Sequence, residues 1–137
     1  MNTATNRQYG EVRIANGAFD DVLARLTSAL QEEGFGVLCQ IDIQAKLKEK
    51  LGVEFPNYVI LGVCNPSLGY EALQQDMNLG LLLPCNAVVF EQEGRVRAGV
   101  VDAETMLSVA GYPALESVAR KVNEKLRRAL DRAIGSE

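Results

Sequence analysis

Hydrophobic and polar positions along this chain follow periods that predict both helices and strands. "NGAFDDVLARLTSALQEEGF" carries apolar residues at helical spacing, which predicts an amphipathic helix ending at Gly34. "FGVLCQIDI" alternates with a period of two, which predicts a strand. One face of that strand would carry Val37, Cys39, Ile41 and Ile43. On this pattern Cys39 is a small apolar residue of the core.

The middle of the chain predicts two helices separated by a buried strand. Asp42 precedes "IQAKLKEKLG", which has the pattern of a short amphipathic helix. "NYVILGVC" is apolar on both faces, as is typical of a central strand. "NPSLGYEALQQD" predicts a helix with Asn65 as N-cap and Pro66 at the first helical position, where proline is well tolerated.

The last third of the chain predicts a hairpin followed by two helices. "AVVFEQEGRVRAGVV" favours a hairpin that turns near Glu93 and Gly94. Asp102 is placed to cap a short helix, and "PALESVARKVNEKLRRALDRAI" predicts the longest helix. The resulting order is βαβαβαββαα. Because a hairpin requires antiparallel pairing, we predict an α+β two-layer sandwich, with a mainly antiparallel sheet and helices packed on one face.

The length of 137 residues predicts one domain, which we place at 7–137. Residues 1–6 are expected to be a flexible N-terminus, and 135–137 a loose end. The start, "MNTATNRQYG", lacks the apolar segment of a signal peptide, and no apolar run is long enough to span a membrane. We therefore expect a cytoplasmic protein with no membrane partner.

Composition excludes several classes of function. The chain has no histidine, which excludes Ser-His-Asp and Cys-His nucleophile systems and imidazole metal sites. It has no tryptophan and a net charge of −4, so we expect no nucleic-acid partner. Its glycines form neither a GxGxxG segment nor a phosphate-binding loop, and we expect no cofactor.

Two cysteines lie in similar surroundings, "VILGVCNP" and "GLLLPCNA". Cys64 ends a buried strand before a helix N-terminus, which favours a thiolate or an anionic ligand group; the alternative is a buried thiol beside ordinary cap residues. Cys85 opens the next strand, after Pro84. Antiparallel neighbouring strands would place both thiols on one rim, whereas parallel strands would separate them by about 23 Å.

A carboxylate stands at another strand-to-helix corner of the predicted fold. Asp42 is either a site residue or a plain N-cap. Two thiols supply half of a tetrahedral zinc site, so we expect no metal within one chain.

Three segments resemble the family named domain of unknown function 302: "GFGVLCQIDIQAKLKEKLG", "YVILGVCNPSLGYEAL" and "GLLLPCNAVVFE". The similarity covers roughly 19–101. The family motif falls on Gly34, Phe35, Asp42, Cys64, Asn65, Pro66, Pro84 and Cys85. The resemblance implies a TATA-binding-protein-like α+β fold and a homodimer, and it implies no activity.

Three functional hypotheses follow. The leading one is a cytosolic, non-enzymatic homodimer that binds a small ligand or a partner at a rim formed by Asp42, Cys64, Asn65 and Cys85. The dimer is expected because the apolar strands carry more apolar surface than one helix layer covers. An alternative is a thiol-dependent redox or sulfur-handling protein, with Cys64 as nucleophile and Cys85 as resolving thiol. The third is a structural or assembly protein with inert, buried cysteines. In all three, the structural motif residues are Gly34, Phe35, Pro66 and Pro84.

Overall fold

Strands and helices follow one another in an order close to the predicted one. The computed structural model describes residues 4–135. Its strands are β1 (Ala4–Arg7), β2 (Gly10–Ile14), β3 (Gly36–Asp42), β4 (Tyr58–Cys64), β5 (Cys85–Gln92) and β6 (Arg95–Val101). Its α-helices are α1 (Phe19–Glu32), α2 (Ile43–Leu51), α3 (Pro66–Gln75), α4 (Ala103–Ser108) and α5 (Leu115–Ile134), with a 3₁₀ helix at Met77–Leu81.

The strands form one six-stranded sheet in the order β1-β2-β6-β5-β4-β3, and each neighbouring pair is antiparallel. The predicted α+β two-layer fold is thus confirmed. An N-terminal hairpin replaces the single predicted first strand. Residues 4–6, expected to be flexible, pair with β2 through backbone groups, which needs no apolar pattern in the sequence. The rest of the expected loose ends, 1–3 and 136–137, lies outside the described residues.

Helices cover one face of the sheet and build the core there. Val59, Leu61 and Val63 of β4 point to the helix side and are buried. The longest helices, α1 and α5, pack side by side over this face. Tyr58 and Ile60 alternate to the opposite face and stay partly exposed. Among residues 4–135, none of the helices combines the length and apolarity needed to cross a membrane.

A β-bulge in β3 reverses the predicted side of Cys39. Val37 pairs with Val63 on the core side, but Cys39 pairs with Gly62, so one extra residue, Leu38, stands between them. After the bulge, Cys39 and Ile41 point away from the helices, and Cys39 is exposed. The prediction that Cys39 belongs to the core is therefore wrong, because alternation continues only along a strand without an inserted residue.

The hairpin and the predicted caps form as the sequence indicates. Glu93 and Gly94 have φ angles of 54° and 74° and connect β5 to β6 in a two-residue turn. Asn65 caps α3 and Asp102 caps α4, each through a side-chain oxygen that accepts a backbone N–H. Gly52, with φ 67°, ends α2 in the left-handed conformation.

Arginines of α5 bind the C-terminal end of α1. Arg128 donates from Nε and a terminal nitrogen to the Glu33 carboxylate at 2.9 to 3.2 Å, and Arg132 lies 3.3 Å from it. Hydrogen bonding from Arg128 holds the pKa of Glu33 below its ordinary value of 4.5. The ion pairs therefore link two helices across the core layer, with the Glu33 side chain 11% exposed.

We predict that Glu33→Gln lowers the free energy of unfolding at neutral pH and that this loss disappears in acid. Because the folded-state pKa lies below 4.5, the carboxylate contributes stability that is fully present above about pH 4.5. That stability is lost as the pH falls through the folded-state value. Urea titrations between pH 3 and pH 7, at one fixed protein concentration, measure the difference between variant and parent.

Glu32→Gln is the matched control, since Glu32 is 68% exposed and lies 3.4 Å from Arg132. Glu32→Gln should lower the free energy of unfolding at neutral pH by less than Glu33→Gln does, because solvent screens exposed ion pairs. A Glu33→Gln difference that stays constant from pH 3 to pH 7 would contradict the prediction.

Candidate functional site

Antiparallel pairing brings Cys64 and Cys85 together at one end of the sheet. Val63 of β4 lies directly opposite Cys85 of β5, so Cys64 stands one residue beyond that pair. Cys64 is partly exposed, whereas Cys85 is buried in the core. Of the two pairing directions considered from sequence, the one that places both thiols on one rim is therefore realised.

The chemistry of this cysteine corner is unfavourable for a redox pair. Burial, and next the neighbouring Cys64, raise the pKa of the Cys85 thiol to about 11. A thiol must ionise to attack or to resolve a disulfide, and Cys85 is almost wholly protonated near neutral pH. The crevice that both cysteines line has a volume of about 20 Å³, which is room for about one water molecule.

Motif residues around the cysteines join three elements by close contacts. Asn65 accepts a hydrogen bond from the Leu68 backbone at 3.4 Å and donates to the Glu33 carbonyl at 3.4 Å, which ties the start of α3 to the end of α1. Gly34 has a φ of 88°, and a Cβ there would lie 3.0 Å from the Asn65 amide nitrogen. A Cβ on Gly69 would lie 2.7 Å from the Cys64 sulfur. The two glycines thus allow α1, β4 and α3 to meet without steric overlap.

The predicted structural residues complete this corner. Phe35 is 3% exposed and packs in the core, and Pro66 occupies the first turn of α3. Pro84 follows a cis peptide bond, and its ring lies over Gly62, where a Cβ would approach within 3.1 Å. Gly34, Phe35, Asn65, Pro66, Pro84 and both cysteines therefore share one end of the sheet.

Asp42 does not join the predicted rim. It pairs with Val59, whereas Cys64 pairs with Gly36 at the other end of the same two strands. The β3 strand runs seven residues between these ends, which separates them by about 20 Å. The Asp42 carboxylate accepts the Ala45 backbone N–H at 2.9 Å and is an N-cap of α2. The rim hypothesis was wrong about Asp42 because adjacent antiparallel strands end at opposite edges of a sheet.

The face of the sheet that the helices leave uncovered, here called the open face, carries an apolar row across five strands. Cross-strand pairing places these residues side by side from β3 to β2: Ile41, Ile60, Val88, Gly99 and Val12. The next row contains Tyr58 and Phe90, whose rings stack with centroids 5.0 Å apart. Gly99 contributes no side chain to the row, and the Val12 side chain lies over this glycine.

A cavity of about 390 Å³ opens on the same face. Its walls are mainly apolar and include Val12, Tyr58, Val88 and Phe90, with Gly99 at the floor. A Cβ on Gly99 would come within 2.7 Å of the Val12 side chain, so glycine lets β2 and β6 lie this closely together. Volumes of 300 to 1,000 Å³ are usual for small-molecule sites, so this cavity is large enough for a ligand.

Among the described residues that line this cavity there is one cation, Arg97. Arg97, between Phe90 and Ile14 in the cross-strand row, has a side chain that is 16% exposed. A terminal nitrogen lies 3.5 Å from the Glu93 carboxylate, while its buried Nε has no hydrogen-bond partner among the described residues. Strand alternation could have assigned Arg97 to this face. Nothing in the sequence marks it as buried, because that depends on neighbours from two other strands.

Two other depressions are larger than the open-face cavity, and their walls are more polar. Their charged side chains either pair with other protein groups or are exposed to solvent. One, of about 500 Å³, lies between α4 and α5. The other, of about 490 Å³, adjoins Asp102, whose carboxylate accepts hydrogen bonds from Thr105 and from the buried Asn123. Those bonds cap α4, so the second depression borders a structural network. Across residues 4–135, no three cysteine or carboxylate side chains are grouped closely enough to hold a metal ion.

Comparisons with known proteins agree with the fold and name no activity. The model of the family "Domain of unknown function DUF302" matches residues 11–133. The chain is similar to the crystal structure of an uncharacterised conserved DUF302 protein from Bacillus stearothermophilus, with a TM-score of 0.86 and 31% sequence identity. That similarity covers 93% of this chain and 99% of the other. No curated protein matches the chain.

We predict that Cys85 resists alkylation in the folded protein while Cys64 reacts. With a pKa of about 11, only about one Cys85 thiol in a thousand is ionised at pH 8. Iodoacetamide labelling of a Cys39→Ser variant, followed by peptide mass spectrometry, reports on the two remaining thiols. Cys85 should become labelled only after denaturant is added, and a Cys64→Ser variant should leave that behaviour unchanged.

The contrary result would revive the redox hypothesis. Equal labelling rates for Cys64 and Cys85 in the folded protein, or a disulfide between them under mild oxidation, would show that Cys85 is accessible and reactive.

Proposed function

The chain belongs to the DUF302 family, whose description states no activity, and from the open face of its sheet we propose that the protein is a homodimeric, non-enzymatic binding module. The observation that carries the proposal is the apolar row that crosses five strands without a helix layer above it. Exposed apolar surface of this extent is typical of an interaction site. We therefore place the binding surface on the open face, and not at the cysteine corner as expected from sequence.

The size of the open face fits a stable interface. Six strands about 4.8 Å apart and up to eight residues long give a face of at most about 650 Å². A standard interface takes about 800 Å² from each partner. Apolar side chains beside β3 and β4 extend the area, since Leu51, Val53 and Phe55 are 68%, 42% and 38% exposed.

Helix α2 is poorly buried, which also supports a second subunit over the open face. Its nine residues include Ile43, Leu47 and Leu51, yet none of its residues is buried. An isolated helix of this length is marginal in water, because packing of an apolar face supplies most helical stability in proteins. A second subunit over the open face would give α2 the packing that its own chain does not.

Charge distribution favours a second copy of this chain over a nucleic acid. The net charge is −4, and the central row of the open face is uncharged. Nucleic-acid binding needs several lysines or arginines to neutralise phosphates, whereas protein interfaces are depleted of charge at their centres. An uncharged apolar surface can pair with its own copy about a two-fold axis.

The cysteine corner supports a structural role for both thiols. Cys85 is buried with a raised pKa, and Cys64 packs against the glycine of the first α3 turn. The buried Cys85 disfavours the redox hypothesis, because that hypothesis needs Cys85 as the resolving thiol. The motif residues then position β4, α3 and β5 rather than react.

We predict that Val88→Glu converts a dimer into a folded monomer. The substitution places an unpaired carboxylate in the centre of the open face, where its burial costs several kcal/mol in the dimer and little in the exposed monomer. Size-exclusion chromatography with light scattering should give twice 14.9 kDa for the parent and 14.9 kDa for the variant.

Val109→Glu is the matched control, because Val109 is 74% exposed and lies after α4, away from the sheet. It should remain dimeric. Far-UV circular dichroism checks that both variants are folded. A monomer mass for the parent across a wide dilution range would overturn the proposal.

A further inference from the structure

The guanidinium of Arg97 lines the open-face cavity and is incompletely paired, which points to a ligand there. A buried donor without a partner usually costs about 1 to 3 kcal/mol, so native proteins rarely leave one unmatched. The contact with Glu93 does not satisfy the guanidinium, since it is 3.5 Å long and the Glu93 side chain is 79% exposed. The Nε itself has almost no exposed surface, so an anion in the cavity would reach Arg97 through the terminal nitrogens of its guanidinium.

The electrostatics of the cavity favour an anion over a cation. Glu11 belongs to the lining residues, but strand alternation turns its side chain to the helix side, opposite to that of Val12. There Glu11 lies 3.6 Å from Arg13, which also binds Asp131 of α5. Among the side chains that the structure describes, the charged group that faces the cavity is thus Arg97, with Glu93 as its neighbour.

The remaining walls define the rest of the ligand. Val12, Val88 and the stacked rings of Tyr58 and Phe90 offer apolar contact, and the amides of Asn86 and Gln92 lie at the edges. A small inorganic anion would leave these apolar walls unused. A carboxylate bound to Arg97, with an apolar chain or ring against the walls, uses both kinds of surface.

We propose that the open-face cavity binds an amphipathic monocarboxylate, with its carboxylate on Arg97 and its apolar part against Val12, Val88 and Phe90. The inference rests on the proposed dimer for one point, the closing of the cavity by a second subunit. Closure would exclude water and strengthen the ion pair, and bound ligand would in turn stabilise the dimer by mass action.

Octanoate and 1-octanol are suitable probes, because they share chain length and differ in charge. NMR of the ¹⁵N-labelled full chain follows the Arg97 Nε–H signal and the Gly99 amide during titration. Octanoate should shift both signals and bind at least tenfold more tightly than 1-octanol, since hydrogen bonds to charged groups contribute about 1.5 to 3 kcal/mol. Equal affinities, or no shift with octanoate, would overturn the proposal.

Substitution of two arginines distinguishes a specific role of Arg97 from an effect of the protein's net charge. Arg97→Met should weaken octanoate binding by about 10- to 100-fold. Arg95→Met is the matched control on the same strand, because Arg95 is exposed and does not line the cavity. It should leave the affinity within about twofold. If Arg97→Met fails to fold, the comparison of octanoate with 1-octanol in the parent protein decides whether the carboxylate contributes to binding.

Sedimentation distinguishes failure of this inference from failure of the proposed function. Octanoate should lower the concentration at which the dimer dissociates. A monomeric protein that binds octanoate with the expected shifts would refute the dimer and retain the ligand site. A dimer that shows no octanoate binding would mean that the partner's side chains fill the cavity, and would refute the ligand site alone.

Discussion

A single layer of helices on a six-stranded sheet is the constraint on which the rest of this structure depends. A sheet has two faces, and only one of them becomes the core. Strand β4 shows the result of this constraint. Both of its faces are apolar, but only Val59, Leu61 and Val63 are covered by helices. The other face must be polar, bound or exposed at a cost. Here it is apolar, and this property connects the open face, the poorly packed α2 and the proposed dimer.

The residues of the cysteine corner have a structural explanation that requires no reaction. Its residues solve one geometric problem, the meeting of the end of α1, the start of α3 and the start of β5. Asn65 holds two of these elements through hydrogen bonds, and glycines at 34 and 69 leave space where a Cβ would collide. Substitution of Gly34, Asn65 or Gly69 would be costly for packing reasons, so the architecture alone explains these residues.

Sequence patterns predicted the fold class and most elements, and the failures have physical causes. The α+β class followed from the hairpin at Glu93 and Gly94, because that turn requires particular φ angles and antiparallel strands. Cys39 was misplaced by the bulge at Leu38, which depends on pairing with β4. Asp42 was misplaced because two strand-to-helix junctions with similar sequence patterns can lie at opposite ends of antiparallel strands. The open-face cavity was missed since it combines residues from four strands, whose register no local pattern specifies.

The bulge at Leu38 sets the width of the open face. Downstream of it, Ile41 joins Ile60 and Val88 in the apolar row. If the same sequence paired without the bulge, Gln40 would stand opposite Ile60, and Ile41 would turn to the helix side. The pairing of β3 with β4, and not the side chains of β3 alone, therefore decides whether the apolar row reaches the edge strand. Two chains with the same residues in this segment would thus present different open faces if one of them lacked the bulge.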